Sequence, residues 1–226
     1  MNKRAIILAN GLFPKRQEAL QALLQTPLLI CCDGAYNKLV ANKLFSHANA
    51  LPEIHVVGDG DSLADDIRQN PPFPTTFVSG YSDQETNDLT KAVRYALSID
   101  VSRLVILGAT GLREDHTLGN ISLLAYYSTL FTPSGVPLTV RMYTDYGFFT
   151  PLHASAKLPS IPHQQVSLFP LSPQLVITVQ GLKYPIVKRQ FSYWWEATLN
   201  EAVANEFSIE IEGNGTVLVY QTHNAQ

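Results

Sequence analysis

At 226 residues and 46% hydrophobic, the chain is long enough to bury a large core, as one domain or as two unequal ones. A net charge of -3, with no dense Lys/Arg block, argues against nucleic acid as the main partner. No apolar stretch approaches the ~20 residues of a membrane span, and the short apolar run after Arg4 lacks a signal-peptide cleavage pattern, so a soluble, cytoplasmic protein without a membrane partner is expected.

The chain then reads as an alternation. Arg4–Ala9 is a buried strand that turns at Asn10-Gly11. Pro14–Gln25 carries Ala19, Leu20, Leu23 and Leu24 at helical spacing. Leu28–Cys32 is a second apolar strand. Its adjacent cysteines face opposite ways and read as buried, reduced thiols. Tyr36–Phe45 reads as a helix, Ile54–Gly58 as a third strand and Thr75–Ser79 as a short β run. A further helix, opened by the acidic segment Asp83–Asp88, carries the stripe Leu89, Ala92, Val93, Ala96 and Leu97. Strand Leu104–Leu107 and a helix from Thr117 to about Leu130 follow.

This order predicts a doubly wound, mostly parallel α/β sheet with helices on both faces. After Leu138 the pattern becomes short β runs, Val140–Tyr143, Phe148–Leu152, Val166–Phe169, Val176–Val179, Phe207–Ile211 and Val217–Tyr220, separated by Pro, Ser, Gly and Asn turns. A C-terminal antiparallel β-sandwich is expected there, with a boundary near residues 145–155, taken as domains 1–148 and 149–226.

The chemistry gathers at strand ends. Val57-Gly58-Asp59-Gly60-Asp61-Ser62 follows the third strand. If it stays extended, Asp59 and Asp61 point the same way, ~6.6 Å apart. Two such carboxylates suit Mg²⁺ completed by water and phosphate, although Asp-Gly pairs also form plain turns. Asp33 ends the second strand, Asp88 opens a helix, and Gly108–His116 follows another strand. Ligands of doubly wound sheets bind beyond the carboxyl ends of the strands, so one sheet edge collects four carboxylates, Arg113 and glycine-rich loops. Clustered acids without Cys/His sets favour Mg²⁺ over zinc and fit phosphoryl transfer. Arg113 would stabilise developing charge, and Asp115 would orient or accept a hydroxyl proton besides capping the next helix. His116 reads first as structural. No P-loop or dinucleotide fingerprint is present.

The pieces Cys32-Asp33-Gly34-Ala35-Tyr36-Asn37-Lys38-Leu39, Gly58-Asp59-Gly60-Asp61-Ser62, Asn87-Asp88-Leu89-Thr90-Lys91-Ala92, and Gly108-Ala109-Thr110-Gly111 with Arg113, Asp115 and His116 resemble, in order and spacing, the thiamine pyrophosphokinase (thiamine diphosphokinase) family. A thinner likeness continues through Ser167–Pro170, Gly181–Tyr184 and Asn200-Glu201. The resemblance implies a homodimer with composite active sites, in which ATP donates its diphosphate to the hydroxyethyl group of thiamine, leaving AMP. It implies Mg²⁺ on Asp59, Asp61 and Asp88, with Arg113 and Asp115 also catalytic. Asp33, Gly34, Gly58, Ser62, Thr110 and Gly111 would contact nucleotide or phosphate, while Asp115, His116, Thr198 and Asn200 would contact substrate.

Departures are Glu85 for Asp, Asn87 for Thr, Leu112 for the second glycine before Arg113, Tyr184 for Trp, and Leu199 for the Ser before Asn200. Tyr193-Trp194-Trp195 is expected to pack in the sandwich, with an aromatic contact to thiamine as the alternative. Two further readings stay open: a Mg²⁺-dependent diphosphotransferase for another small alcohol, and a thiamine or nucleotide sensor without turnover.

Overall fold

The structure, a computed structural model, describes residues 3–46, 48, 50–80 and 86–225. Asp83, Gln84 and Glu85 of the acidic segment lie outside the described residues. The chain divides into two compact units, Met1–Asp145 and Tyr146–Gln226.

In the first unit the order is β1 (Lys3–Leu8), α1 (Gln17–Gln25), β2 (Leu28–Cys32), α2 (Asp33–Ala41), β3 (Glu53–Val57), α3 (Asp65–Gln69), β4 (Thr75–Val78), α4 (Asp88–Ser98), β5 (Val101–Leu107), α5 (Glu114–Tyr127) and β6 (Thr139–Tyr143). Across the sheet the strands run β4-β3-β2-β1-β5-β6, and every pairing among them is parallel. Apolar runs buried on both faces make such strands; all five residues of β2 are buried. Right-handed crossovers place α1, α2 and α3 on one face. The return from β4 to β5 then carries α4, and with it α5, to the other. Leu89, Ala92, Val93, Ala96 and Leu97 of α4 are all buried, as their spacing predicts. Thr90 of α4 shares a 2.7 Å hydrogen bond with Tyr127 of α5, both buried, which ties the two helices of that face together.

Several boundaries differ from expectation for local reasons. α1 starts after Pro14, at Gln17. α2 begins at Asp33 and stops at Ala41, because Asn42 caps it and Lys43 turns left-handed at φ 53°. α5 starts at Glu114, so Asp115 lies inside its first turn and the N-cap is Arg113. The extended reading of Asp59-Gly60-Asp61 is corrected. β3 ends at Val57, Gly60 adopts φ 88°, and the Asp61 N–H donates to the Asp59 carboxylate at 3.3 Å. The segment is thus a glycine turn closed by Asp59, a conformation that only glycine adopts freely.

The second unit contains β7 (Gly147–Leu152), β8 (Ala156–Pro159), β9 (Gln164–Pro170), β10 (Val176–Gln180), β11 (Ile186–Arg189), a 3₁₀ turn (Trp194–Ala197), β12 (Asn200–Glu201), β13 (Glu206–Glu212) and β14 (Val217–Ala225). One layer runs β12-β9-β14-β7 and the other β11-β10-β13-β8, with antiparallel pairing in both. Val166 and Leu168 from one layer and Ile177, Val179, Phe207 and Ile209 from the other meet in a shared core. That is the expected sandwich.

Tyr193, Trp194 and Trp195 are not in its core; they are 67%, 45% and 73% exposed. The Glu196 carboxylate accepts the Ser192 and Tyr193 N–H groups at 2.7 and 2.8 Å, and this turn points the aromatics outward. Trp194 meets Phe169 edge-on at 6.2 Å.

Candidate active site

The strand order reverses at β1, between β2 and β5, and a crevice of ≈ 470 Å³ opens beyond the carboxyl ends there. Its walls come from the loop after β1 (Ala9, Asn10, Gly11), from Cys32 and Ser62, from the start of α4 (Asn87, Asp88), and from the loop after β5 with the first turns of α5 (Thr110, Arg113, His116, Asn120).

Close backbone approach builds this wall. The Gly11 N–H donates to the Gly108 carbonyl at 2.6 Å and the Leu12 N–H to the Thr110 carbonyl at 2.8 Å, zipping the β1 loop to the β5 loop. A Cβ on Gly11 would collide with both carbonyls, so the residue must be glycine. From α2, Lys38 Nζ donates to the Asn10 and Gly11 carbonyl oxygens at 2.8 and 2.6 Å. Asn37 ties down the β3 loop, donating to the Ser62 carbonyl at 2.7 Å and accepting the Ala64 N–H at 3.2 Å. Asn120 Nδ2 reaches the Ala109 carbonyl at 2.8 Å. Asn87 caps α4 by accepting the Thr90 N–H at 2.9 Å, so an amide oxygen does the work there.

The acids fall into three settings. Asp33 is buried, accepts the Gly60 N–H at 2.5 Å, and packs so close to Gly58 that no Cβ fits there. Burial pushes its carboxyl above the usual value, against the opposing pull of the Gly60 N–H. Asp59 and Asp88 are joined by the buried ammonium of Lys91, at 3.4 Å and 3.1 Å, while their own side chains stay 40% and 39% exposed. The Asp61 N–H, then Lys91, holds Asp59 below the usual range. Burial alone would lower Lys91, but Asp88 and Asp59 outweigh it and leave the ammonium firmly charged.

The third setting is the exposed pair Arg113–Asp115, bidentate at 3.1 and 2.6 Å, with Asp115 also accepting the His116 N–H at 2.9 Å. The Arg113 guanidinium brings Asp115 down to about 2. So acidic a carboxylate is a poor proton acceptor at neutral pH, so Asp115 is better suited to orient Arg113 than to act as a base.

Of the residues singled out from sequence, Ser62, Asp88, Thr110, Arg113 and His116 line the crevice. Asp59 joins them through Lys91, and Asp33 and Gly58 meet beneath the glycine turn. Gly34 packs its backbone against the Asn10 side chain, and Gly111 turns at φ 86° against Leu12. Asp61 is exposed beside them. Thr198 and Asn200 belong to the second unit. There the buried Asn200 amide accepts the Tyr184 N–H at 3.0 Å and donates to the Tyr184 carbonyl at 2.7 Å, clamping that loop.

Sequence reasoning passed over Lys91, Lys38 and Asn10. Lys91 had a readable signal, since it lies one helical turn after Asp88. Lys38 bonds backbone carbonyls 27 and 28 residues away, which no spacing reveals.

Among the described residues no three His, Cys, Asp or Glu side chains converge as a ready-made metal cage. Mg²⁺ does not require one, since one or two carboxylates suffice when phosphates and water complete its shell. Asp59 and Asp88, each with much of its carboxylate exposed, together with exposed Asp61, are a hard-oxygen donor set that fits it.

Fold and site together define a class: a doubly wound α/β domain with an acidic, glycine-walled crevice at its topological switch point, followed by an antiparallel sandwich. Residues 19–132 match the family model for the thiamin pyrophosphokinase catalytic domain, and residues 147–220 match that for the thiamin pyrophosphokinase substrate-binding domain. The chain belongs to the thiamin pyrophosphokinase family, an enzyme family whose activity is thiamine pyrophosphorylation. It is 27% identical over 219 residues to thiamine pyrophosphokinase 2 of Arabidopsis thaliana, covering 85% of this chain and 79% of that one. The fold matches a thiamin pyrophosphokinase from Candida albicans with TM-score 0.80 at 16% identity, over 99% of this chain and 90% of that one. It also matches a thiamine pyrophosphokinase from Bacillus subtilis with TM-score 0.74 at 20% identity, over 97% and 99%.

Proposed function

We propose that the protein transfers the terminal diphosphate of ATP to the hydroxyethyl oxygen of thiamine, giving thiamine diphosphate and AMP. The observation that carries this reading is the gathering of Asp59, Asp88 and Lys91 beside the Arg113–Asp115 pair around one crevice in a chain of this family. In this reaction the thiamine oxygen bonds to the β phosphorus, the bond from the β phosphorus to the oxygen that bridges it to the α phosphorus breaks, that oxygen leaves on AMP, and the hydroxyl proton is released.

Asp59, Asp61 and Asp88 are the residues that would hold Mg²⁺. Bound there, the ion would neutralise phosphate charge during transfer. Lys91 keeps Asp59 and Asp88 together although both are anionic. Arg113 stands ready to exchange Asp115 for a phosphate oxygen and to stabilise charge on the transferred group. Asp33 fixes the glycine turn that presents Asp59 and Asp61, with Gly34 and Gly58 allowing the close packing. Ser62, Thr110 and Gly111 present nucleotide or phosphate contacts at the crevice wall.

The second unit is assigned to thiamine. Support comes from its match to a substrate-binding domain and from the exposure of Tyr184, Tyr193 and Trp195, rings able to face a thiazolium cation. Asn200 would act by setting the Tyr184 loop, with Thr198 beside it. The working form is proposed as a homodimer in which the first unit of one chain and the second unit of its partner share each site. A cytoplasmic setting belongs to the same proposal, consistent with two free, buried thiols.

Purified protein incubated with Mg²⁺, ATP and thiamine should yield thiamine diphosphate and AMP by mass spectrometry. Formation of ADP with thiamine monophosphate would contradict diphosphate transfer.

A further inference from the structure

We propose that the first unit carries a second anion site, a groove over β1, β5 and β6 that binds a small phosphate-chain anion of the diphosphate class. The groove encloses ≈ 560 Å³, a volume typical of small-ligand sites, and three arginines line it: Arg4, Arg103 and Arg141. Arg4 stands directly beside Arg103 in the pairing of β1 with β5. Arg141 stands beside Val105 in the pairing of β5 with β6, two residues further along β5. Residues paired across a parallel sheet share a face, as do residues two apart on a strand, so all three arginines rise from the same face. With strands about 4.8 Å apart and a rise of about 3.3 Å per residue, their backbones lie within about 12 Å of one another.

The topology explains why this face is open. α1 contributes Ala22 and Gln25, with Thr26 after it, as one wall of the groove. The crossover from β5 to β6 sends α5 to the opposite face, so among the described residues no helix of this unit covers β5 and β6 here. The groove shares no residue with the crevice at the carboxyl ends. Arg4 precedes Ala9 of the crevice by five residues of β1, ~16 Å of strand. This inference is therefore independent of the function assigned to the crevice.

The ligand class follows from the charges. Like charges directly opposite on neighbouring strands repel. Among the described residues neither Arg4 nor Arg103 has an ion-pair partner. A bridging anion would remove that repulsion, and guanidinium forks match phosphate oxygens bidentately. Two side-by-side forks, each matching one phosphate group, suit a chain of two phosphates better than a single one. Gln25 and Thr139 supply further hydrogen-bonding groups at the rim.

The probe is inorganic pyrophosphate, titrated calorimetrically into the full chain in EDTA so that metal-dependent binding in the crevice is suppressed. The expected result is one pyrophosphate per chain, weakened at least ~10-fold by Arg4→Gln and by Arg103→Gln, and changed less than ~2-fold by Arg113→Gln. Hydrogen exchange on the unaltered protein should show pyrophosphate protecting residues 101–105 and 139–143. No binding, binding abolished by Arg113→Gln but insensitive to Arg4→Gln and Arg103→Gln, or protection confined to residues 58–62 and 108–116, would each overturn the proposal.

Discussion

Lys91 is the side chain on which the acidic cluster turns. Its side chain is 4% exposed and its ammonium lies between two carboxylates from separate segments of chain. Lys91→Met should destabilise the fold by roughly 1–2 kcal/mol. That is less than the 3–5 kcal/mol of a fully buried pair, because solvent screens the exposed sides of Asp59 and Asp88. Activity should fall at least ~10-fold with it, and an unchanged urea midpoint would show that the clamp is not structural. Asp61→Asn makes the complementary test, with activity falling ~100-fold or more and thermal stability nearly unchanged. Near-normal turnover in both Asp59→Asn and Asp61→Asn would remove the metal assignment.

Asp33 gives a pH signature. Its folded-state value is raised, so its contribution to stability is fully present below the unfolded value, 3.8, and is lost as pH rises through the folded value. Asp33→Asn abolishes that titration and should gain stability relative to wild type as pH rises from 3 to 7. Melting curves showing a constant gap would contradict the burial argument.

At the scale of elements, the crevice depends on the β1 and β5 loops lying in backbone contact. Gly11→Ala drives a methyl into the Gly108 and Thr110 carbonyls and should cost about 1–3 kcal/mol while lowering activity. If its melting temperature and turnover match wild type, the loop-to-loop zipper does not support the site. Much of this scale was legible beforehand. β1, β2, β3 and β5 are apolar runs ending in Gly, Asp or Asn, and the switch-point rule places such ends together. β8, β11 and β12 were not legible. β11 buries only its first residue and β12 is two residues long, so neither shows the alternation that marks a strand. The Tyr193–Trp195 aromatics misled for a different reason. Apolar composition predicts burial, whereas the direction of a side chain is set by a turn that Glu196 holds through backbone N–H groups. The Asp59–Asp61 pairing was found for the right residues but the wrong backbone, since Gly60 turns where an extended chain was assumed.

At the scale of the whole molecule, the shared-site proposal makes a countable prediction. Asp61→Asn lies in the first unit and Asn200→Ala in the second. If sites form between chains of a two-fold dimer, equal mixing of two inactive variants gives mixed dimers with one unmutated site each, restoring roughly a quarter of all sites. If sites form within chains, exchange restores none, and native mass spectrometry verifies that exchange took place. The central claim, transfer of an intact diphosphate, is tested most directly with ATP labelled with ³²P at the β phosphorus. The label should appear in thiamine diphosphate, one for each AMP released. Label remaining in ADP, with thiamine phosphorylated from the γ position alone, would contradict it.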